Sequence, residues 1–430
     1  MLNFLKKISK DKLVKDNFIF FVGSMAIGFL SYLFYPIIGR LMRVEDFGEV
    51  QFLISLFAQL TIIFSVFGFI TVNIVSNSKK RDKLYILTEL QRIVIFTTSI
   101  IFVLIIFASP WLGHIFKFRS FYPFIILAVL MLTSVFFLFR NSFLQGKHDF
   151  KSVSILGILN AAGKILFAVI LIIIGFGTFG AILGLLIAQL LALVYAIYKT
   201  KKELPFRRSD IPFFTSARSF IAGKTKLKKE LHYGIFIFAL LISITILYTA
   251  DVLIVKRVFS PYEAGQYSGI AAVARIIFFA AGSIAGVLLP SIKKKNTKDE
   301  NRKILKKSFI LFFLVSVPIF VFFVFFPRFV ITLLFGEKFA LFSCLLPLLS
   351  FSIFMTSFLN LIFIYCIALR RYFVAVFAVT GAGLTLLLSV FKHNSITAVI
   401  TNFVIGNIFI LAALALMVIY LQMRNNHEKS

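Results

Sequence analysis

Residues 152–198 read SVSILGILNAAGKILFAVILIIIGFGTFGAILGLLIAQLLALVYAIY, with Lys151 before them and Lys199, Lys201 and Lys202 just after. Lys164 is the only charged residue inside the stretch. It divides into two apolar runs, 152–175 and 178–198, hinged at Phe176 and Gly177. An apolar run of about 20 residues is long enough to cross the roughly 30 Å hydrocarbon core as a helix. Lys and Arg collect on the cytoplasmic side of membrane proteins. The stretch is therefore a membrane hairpin that leaves the cytoplasm and returns to it.

The same pattern fills the chain on either side. Spans are expected at 17–39, 48–76, 88–112, 121–143, 152–175, 178–198, 234–257, 263–291, 308–327, 340–368, 372–391 and 396–421. Lys and Arg number 34 at the two ends and in the even-numbered gaps, against nine in the odd-numbered gaps. That bias puts both termini in the cytoplasm of a multi-pass plasma-membrane protein. The fold class is an all-α polytopic membrane protein of about 12 transmembrane helices.

Composition agrees. Hydrophobic residues make up 60% of the chain, charged ones 15%, and Phe alone supplies 57 of 430 residues, which leaves no room for an ordinary soluble domain. A net charge of +29 would suggest nucleic acid in a soluble protein. Here the charges flank spans instead of forming one face, so no nucleic-acid partner is expected. Cys344 and Cys366 fall in one expected helix, about 33 Å apart and beyond disulfide reach. The five His are scattered, and neither metal nor cofactor is expected.

Residues 1–16 carry five Lys and an apolar face of Leu2, Leu5, Ile8 and Val14, the pattern of an interfacial amphipathic helix. The run that follows is too long for a signal-peptide core, so the first span is expected to stay uncleaved. Residues 199–233 form the one extended hydrophilic gap, a basic cytoplasmic linker. It separates an N-terminal lobe (17–198, six spans) from a C-terminal lobe (234–421, six spans), followed by a cytoplasmic tail at 422–430.

The two lobes read as copies. Arg40, Asp46, Gly48 and Val50 recur as Arg257, Glu263, Gly265 and Tyr267, all at one constant offset. A weaker echo pairs Lys147 and Phe150 with Arg370 and Phe373 at a slightly longer offset. Six spans per copy is an even number, so the copies are parallel, related by an axis along the membrane normal. In such transporters the substrate path is a central cavity between the halves.

A charge at a helix centre costs about 2.5–3.5 kcal/mol on insertion scales, so each one needs a reason. Lys164 lies about 17 Å inside its span, with Asn160 one turn before it on the same face. Asp251 and Arg275 lie on the two arms of the hairpin formed by spans 7 and 8. They either neutralise each other or face a watery cavity, where Arg275 attracts an anion and Asp251 exchanges a coupling proton or cation. Lys164 has no acid in its own span or its neighbours; an anionic ligand, an aqueous lumen or a distant pair with Asp251 would satisfy it. Arg92 near the end of span 3 reads as a snorkelling partner of Glu89. On span 2, Gln51, Ser55 and Gln59 form a stripe at i, i+4 and i+8, with Asn73 further along. These amides and hydroxyls either bond to another helix or line a path for hydroxyl-rich ligands. Pro36, Pro318 and Pro347 are expected to interrupt spans 1, 9 and 10.

The stretch NFIFFVGSMAIGFLSYLFYPIIGRLMRVEDFGEVQF (17–52) resembles bacterial Wzx-type polysaccharide flippases of the multidrug/oligosaccharidyl-lipid/polysaccharide exporter superfamily. So does YTADVLIVKRVFSPYEAGQYSGIAAVARIIFFAAGSIAGVLLPSI (248–292), with its Asp251, Gly265-Gln266-Tyr267 and Leu289-Pro290. The resemblance implies transfer of undecaprenyl-pyrophosphate-linked oligosaccharide to the outer leaflet, for O-antigen, capsule or a similar polymer. It implies a polysaccharide polymerase and glycosyltransferases as partners, and cationic cavity residues, for which Lys164 and Arg275 are the fitting positions. Members that flip the peptidoglycan precursor usually carry fourteen spans, which sets this chain apart from that branch. The nearest alternative is a cation-coupled drug or metabolite antiporter of the same superfamily, whose acid-lined pocket would need more deep carboxylates than Asp251. A membrane enzyme would need clustered acids, His or metal ligands in a sizeable loop, and the outer gaps are too short to hold one.

Overall fold

The computed structural model describes residues 12–77, 80–201, 203–204, 224–292 and 297–427. Residues 1–11 of the expected interfacial helix lie outside the described residues, as do 205–223 of the linker. Among the described residues there is no strand, and 12 stretches are long and apolar enough to cross a membrane.

The N-terminal half supplies α1 (Lys12–Leu41), α2 (Val44–Asn77), α3 (Lys80–Ile115), α4 (Tyr122–Gly146), α5 (Phe150–Ile173) and α6 (Gly177–Thr200). The C-terminal half supplies α7 (Lys224–Val258), α8 (Pro261–Ala274), α9 (Ile276–Ser291), α10 (Lys298–Phe325), the short α11 (Pro327–Phe335), α12 (Leu346–Leu369), α13 (Val374–Phe391) and α14 (Ile396–His427). Two compact units result: Met1–Leu53 with Leu60–Gly234, and Ile54–Gln59 with Ile235–Ser430. In the first, α5 packs on α6 and α1, and α6 on α4; in the second, α12 packs on α9, α10 and α14, and α13 on α14.

The helix ends carry the repeat seen in the sequence. α1 ends at Leu41 and α7 at Val258; α2 begins at Val44 and α8 at Pro261, both pairs at the offset that relates Arg40 to Arg257. The recurring acid sits at a helix start in each half. Glu263 completes a capping box with Ser260, accepting from its N–H while donating its own backbone N–H to the Ser260 hydroxyl. Asp46 lies in the first turn of α2, where an acid suits the positive end of the helix dipole. The weaker echo also falls at equivalent places, the turns after the fourth spans, where His148 and Arg370 hold left-handed conformations (φ 60° and 55°).

Three polar or steric fixtures repeat as contacts. Glu49 of α2 accepts from the Arg119 backbone N–H (3.0 Å) and the Thr178 hydroxyl (2.8 Å), pinning the loop between the third and fourth spans. At the equivalent position of the second half, Gln266 of α8 donates to the Lys338 carbonyl in the corresponding loop. Gln189 of α6 donates to the Leu130 carbonyl and the Thr133 hydroxyl and accepts from Ser134 of α4. Asn407 of α14 likewise donates to the Ser352 carbonyl and accepts from Thr356 of α12. Gly184 lets α6 approach the α5 backbone at Ala168, and Gly406 lets α14 approach α13 at Thr385 and Gly381. Lipid offers no hydrophobic drive for helix association, so small residues and interhelical hydrogen bonds hold such bundles together.

Several local expectations change. α1 and α10 continue through Pro36 and Pro318, and Pro347 sits in the first turn of α12, where its missing N–H costs nothing. Cys344 lies in a 3-10 turn (Ser343–Leu345) before α12, not within it. Arg140, which the charge count groups with the basic gap after the fourth span, belongs to α4 and is buried, its guanidinium donating to the Thr200 hydroxyl.

Candidate functional site: an intramembrane cation in each half

In the second unit, Asp251 of α7 is 2% exposed and both its carboxylate oxygens are engaged. Oδ1 accepts from Arg275 Nη2 at 2.9 Å, and Oδ2 accepts from the Tyr267 hydroxyl at 2.7 Å. Arg275 occupies the one-residue break between α8 and α9, and its guanidinium stacks 5.1 Å from the Tyr248 ring centroid. Tyr248 in turn stacks on Phe278 at 4.5 Å. Of the two alternatives the sequence leaves for Asp251 and Arg275, the structure holds them as a buried ion pair, boxed by aromatic rings. Asp251 is thereby committed to Arg275 and not to Lys164.

In the first unit, Lys164 of α5 lies about 21 Å from the helix start. Its ammonium makes a long hydrogen bond of 3.4 Å to the Ser31 carbonyl of α1 and sits 5.3 Å from the Phe34 ring centroid. No carboxylate lies within ion-pair distance of it among the described residues. Asn160 is half-buried one turn earlier on α5.

The span-2 stripe splits. Gln59 donates to the Thr249 hydroxyl at 3.1 Å, inside the second unit. Gln51 and Ser55 are each 1% exposed, and the Gln51 amide and the Ser55 hydroxyl have no hydrogen-bond partner among the described residues. Asn73 lies in α2, but its side chain is outside the described residues. The same holds for Glu89, the expected partner of Arg92. Phe34, Tyr248 and the anchoring role of Tyr267 escape a reading based on charge alone. The internal repeat is the signal that reaches them, because it aligns Ser31 with Tyr248 and Phe34 with Asp251.

A profile of the polysaccharide biosynthesis protein family matches residues 13–295. The chain belongs to that family. Among curated proteins, none matches it in sequence. Solved structures match its fold. The lipid II flippase MurJ in an inward closed conformation superposes with a TM-score of 0.67 at 15% identity, covering 94% of this chain and 87% of that one. The eukaryotic MATE transporter AtDTX14 gives 0.68 at 13% identity, covering 95% and 96%. An inward-facing multidrug resistance MATE transporter of the MOP superfamily gives 0.63 at 14% identity, covering 95% and 99%. At such identities the likeness establishes a shared polytopic fold. This polysaccharide biosynthesis protein is thus a multi-pass membrane protein built like the MATE and MurJ transporters.

Proposed function

We propose that the protein flips undecaprenyl-pyrophosphate-linked oligosaccharide from the cytoplasmic to the outer leaflet of the bacterial inner membrane by alternating access. The observation that carries this reading is Lys164: an ammonium deep in a span, resting among the described residues on a carbonyl and a ring. An intramembrane cation is costly and marks a path or an anionic ligand, and a pyrophosphate is an anion that cannot cross hydrocarbon unshielded. Lys164 and Arg275 hold the headgroup, and Asn160 and the stripe of Gln51, Ser55, Gln59 and Asn73 take sugar hydroxyls. Buried polar groups normally find partners, so the unpartnered Gln51 and Ser55 support a wetted or ligand-bound state of that helix face. Asp251 couples transport to protons or sodium by releasing Arg275 when it takes up the cation.

The test is export of polymer in cells and flipping of a fluorescent undecaprenyl-pyrophosphate oligosaccharide in vesicles. Lys164→Ala and Arg275→Ala, present at normal levels, are expected to lose at least about tenfold in rate, the equivalent of one lost charged contact. Full activity of both variants removes the headgroup assignment. Flipping that is indifferent to both proton and sodium gradients removes the role of Asp251.

A further inference from the structure

Along α10, Lys306, Phe309, Ile310, Phe313, Leu314 and Pro318 recur at helical spacing and line one open groove of about 670 Å³. Its lining is apolar except at the Lys306 end. One wall is firm: Phe309 and Phe313 pack on Phe358 of α12, with ring centroids 5.1 and 5.6 Å apart. At the polar end, Arg302, Lys303 and Lys307 are exposed beside Lys306, within one turn of it. We infer that this groove is a binding site for a single anionic phospholipid, its phosphate on the Arg302–Lys307 cluster and one acyl chain along Phe309 to Pro318.

The dimensions choose the occupant. From Lys306 to Pro318 is about 18 Å of helix, close to one leaflet of a hydrocarbon core roughly 30 Å thick. An acyl chain anchored at the membrane surface ends where the groove ends. A long polyprenyl tail would overrun it, so the bulk lipid fits better than the lipid-linked sugar carrier. The charge pattern chooses the headgroup, because a cluster of cations beside a span favours anionic over zwitterionic lipid. The inference needs only the membrane placement of α10 and stands apart from the proposed flippase activity.

The full chain, reconstituted in phosphatidylcholine vesicles, is irradiated with a minor fraction of phosphatidylglycerol bearing a photoreactive acyl chain, and adducts are mapped by mass spectrometry. Adducts are expected on the 309–318 segment, and about fivefold fewer with photoreactive phosphatidylcholine of the same chain, the discrimination of about one cation near the surface. Lys306→Gln combined with Lys303→Gln lowers phosphatidylglycerol labelling to the phosphatidylcholine level. Leu314→Trp fills the groove without touching the cations and lowers labelling with both lipids. Lys392→Gln, a charge at another span end, changes nothing. Equal labelling by the two headgroups, or labelling that persists in the double-charge variant, overturns the site. Displacement of the probe by undecaprenyl phosphate but not by dipalmitoyl phosphatidylglycerol overturns the choice of occupant.

Discussion

Phe34 and Asp251 stand at the same register of the first helix of each half, and each contacts a cation inside the membrane-spanning bundle. One turn before them, Ser31 and Tyr248 also correspond, and these are the second contacts of Lys164 and Arg275 respectively. The two cations arrive from different helices, α5 in the first half and the α8–α9 junction in the second. Equivalent positions thus hold a positive charge in both copies, but among the described residues only the second copy supplies a counter-ion. The duplicated fold has kept the place and changed the chemistry.

Supplying the first half with the missing acid tests what the difference is for. Phe34→Asp sets a carboxylate beneath the Lys164 ammonium and recreates the Asp251–Arg275 arrangement. If Lys164 serves an anionic headgroup, the internal pair silences it: polymer export falls by at least about tenfold, or roughly 1.4 kcal/mol, while the amount and thermal stability of the protein hold. Phe34→Leu keeps the apolar contact and should retain export. Unchanged export in Phe34→Asp would mean that Lys164 meets no substrate anion.

The Asp251–Arg275–Tyr267 cluster makes a different demand. Removing one partner of a buried pair leaves an uncompensated charge and costs about 3–5 kcal/mol, whereas removing both partners costs far less. Asp251→Ala and Arg275→Ala should each lower the melting temperature of the detergent-solubilised protein markedly. The double variant should melt higher than either single one. Tyr267→Phe removes one neutral donor to a carboxylate and should cost about 1.5–3 kcal/mol. Additive losses in the double variant would show that the two groups are not energetically coupled.

Much of this is legible in the residues alone. The twelve crossings follow from length and hydropathy, and the corner after the first span of each half is marked by the recurrence of Arg40, Asp46 and Gly48 as Arg257, Glu263 and Gly265. The pairing of Asp251 with Arg275 is one of two readable alternatives, because a hairpin brings its own arms together. What stays hidden depends on distant contacts. Lys164 meets residues of α1 133 positions away, which no local pattern encodes. Arg140 counts with the basic gap after the fourth span, yet it lies inside α4, which continues to Gly146, and its charge is buried against Thr200, 60 positions away. The Glu49 and Gln266 clamps are single polar residues at helix starts, where solvent-facing side chains are the ordinary expectation.

Close helix approach gives a third prediction. A methyl at Gly184 would lie 2.5 Å from the Ala168 backbone nitrogen and 2.7 Å from its Cα, atoms that cannot yield without shifting α5. Gly184→Ala should therefore destabilise by about 1–3 kcal/mol through overpacking. Gly28 of α1 has nothing within 4 Å of such a methyl, so Gly28→Ala should be neutral or stabilising by up to about 1 kcal/mol. Melting temperatures of the two variants, measured side by side in one detergent, should move in opposite directions or at least differ clearly.

The paired corner clamps predict an asymmetry that chemistry alone decides. Glu49 needs to accept twice, from the Arg119 N–H and the Thr178 hydroxyl. In Glu49→Gln the amide oxygen still accepts from Arg119. The Thr178 hydroxyl can then reverse, accepting from the new NH2 and donating to the Asp46 carbonyl, which already lies 3.4 Å away. That change should cost under about 1 kcal/mol. Gln266 is the opposite case, a fully buried donor to the Lys338 carbonyl. Gln266→Glu points a carboxylate at that carbonyl and buries a charge with nothing to donate to it, a loss of several kcal/mol. Thermal unfolding of the two variants separates them: a mild shift for Glu49→Gln and a severe one, or failure to accumulate, for Gln266→Glu. Equal shifts would mean that the two loops are held by packing and that the mirrored hydrogen bonds contribute little.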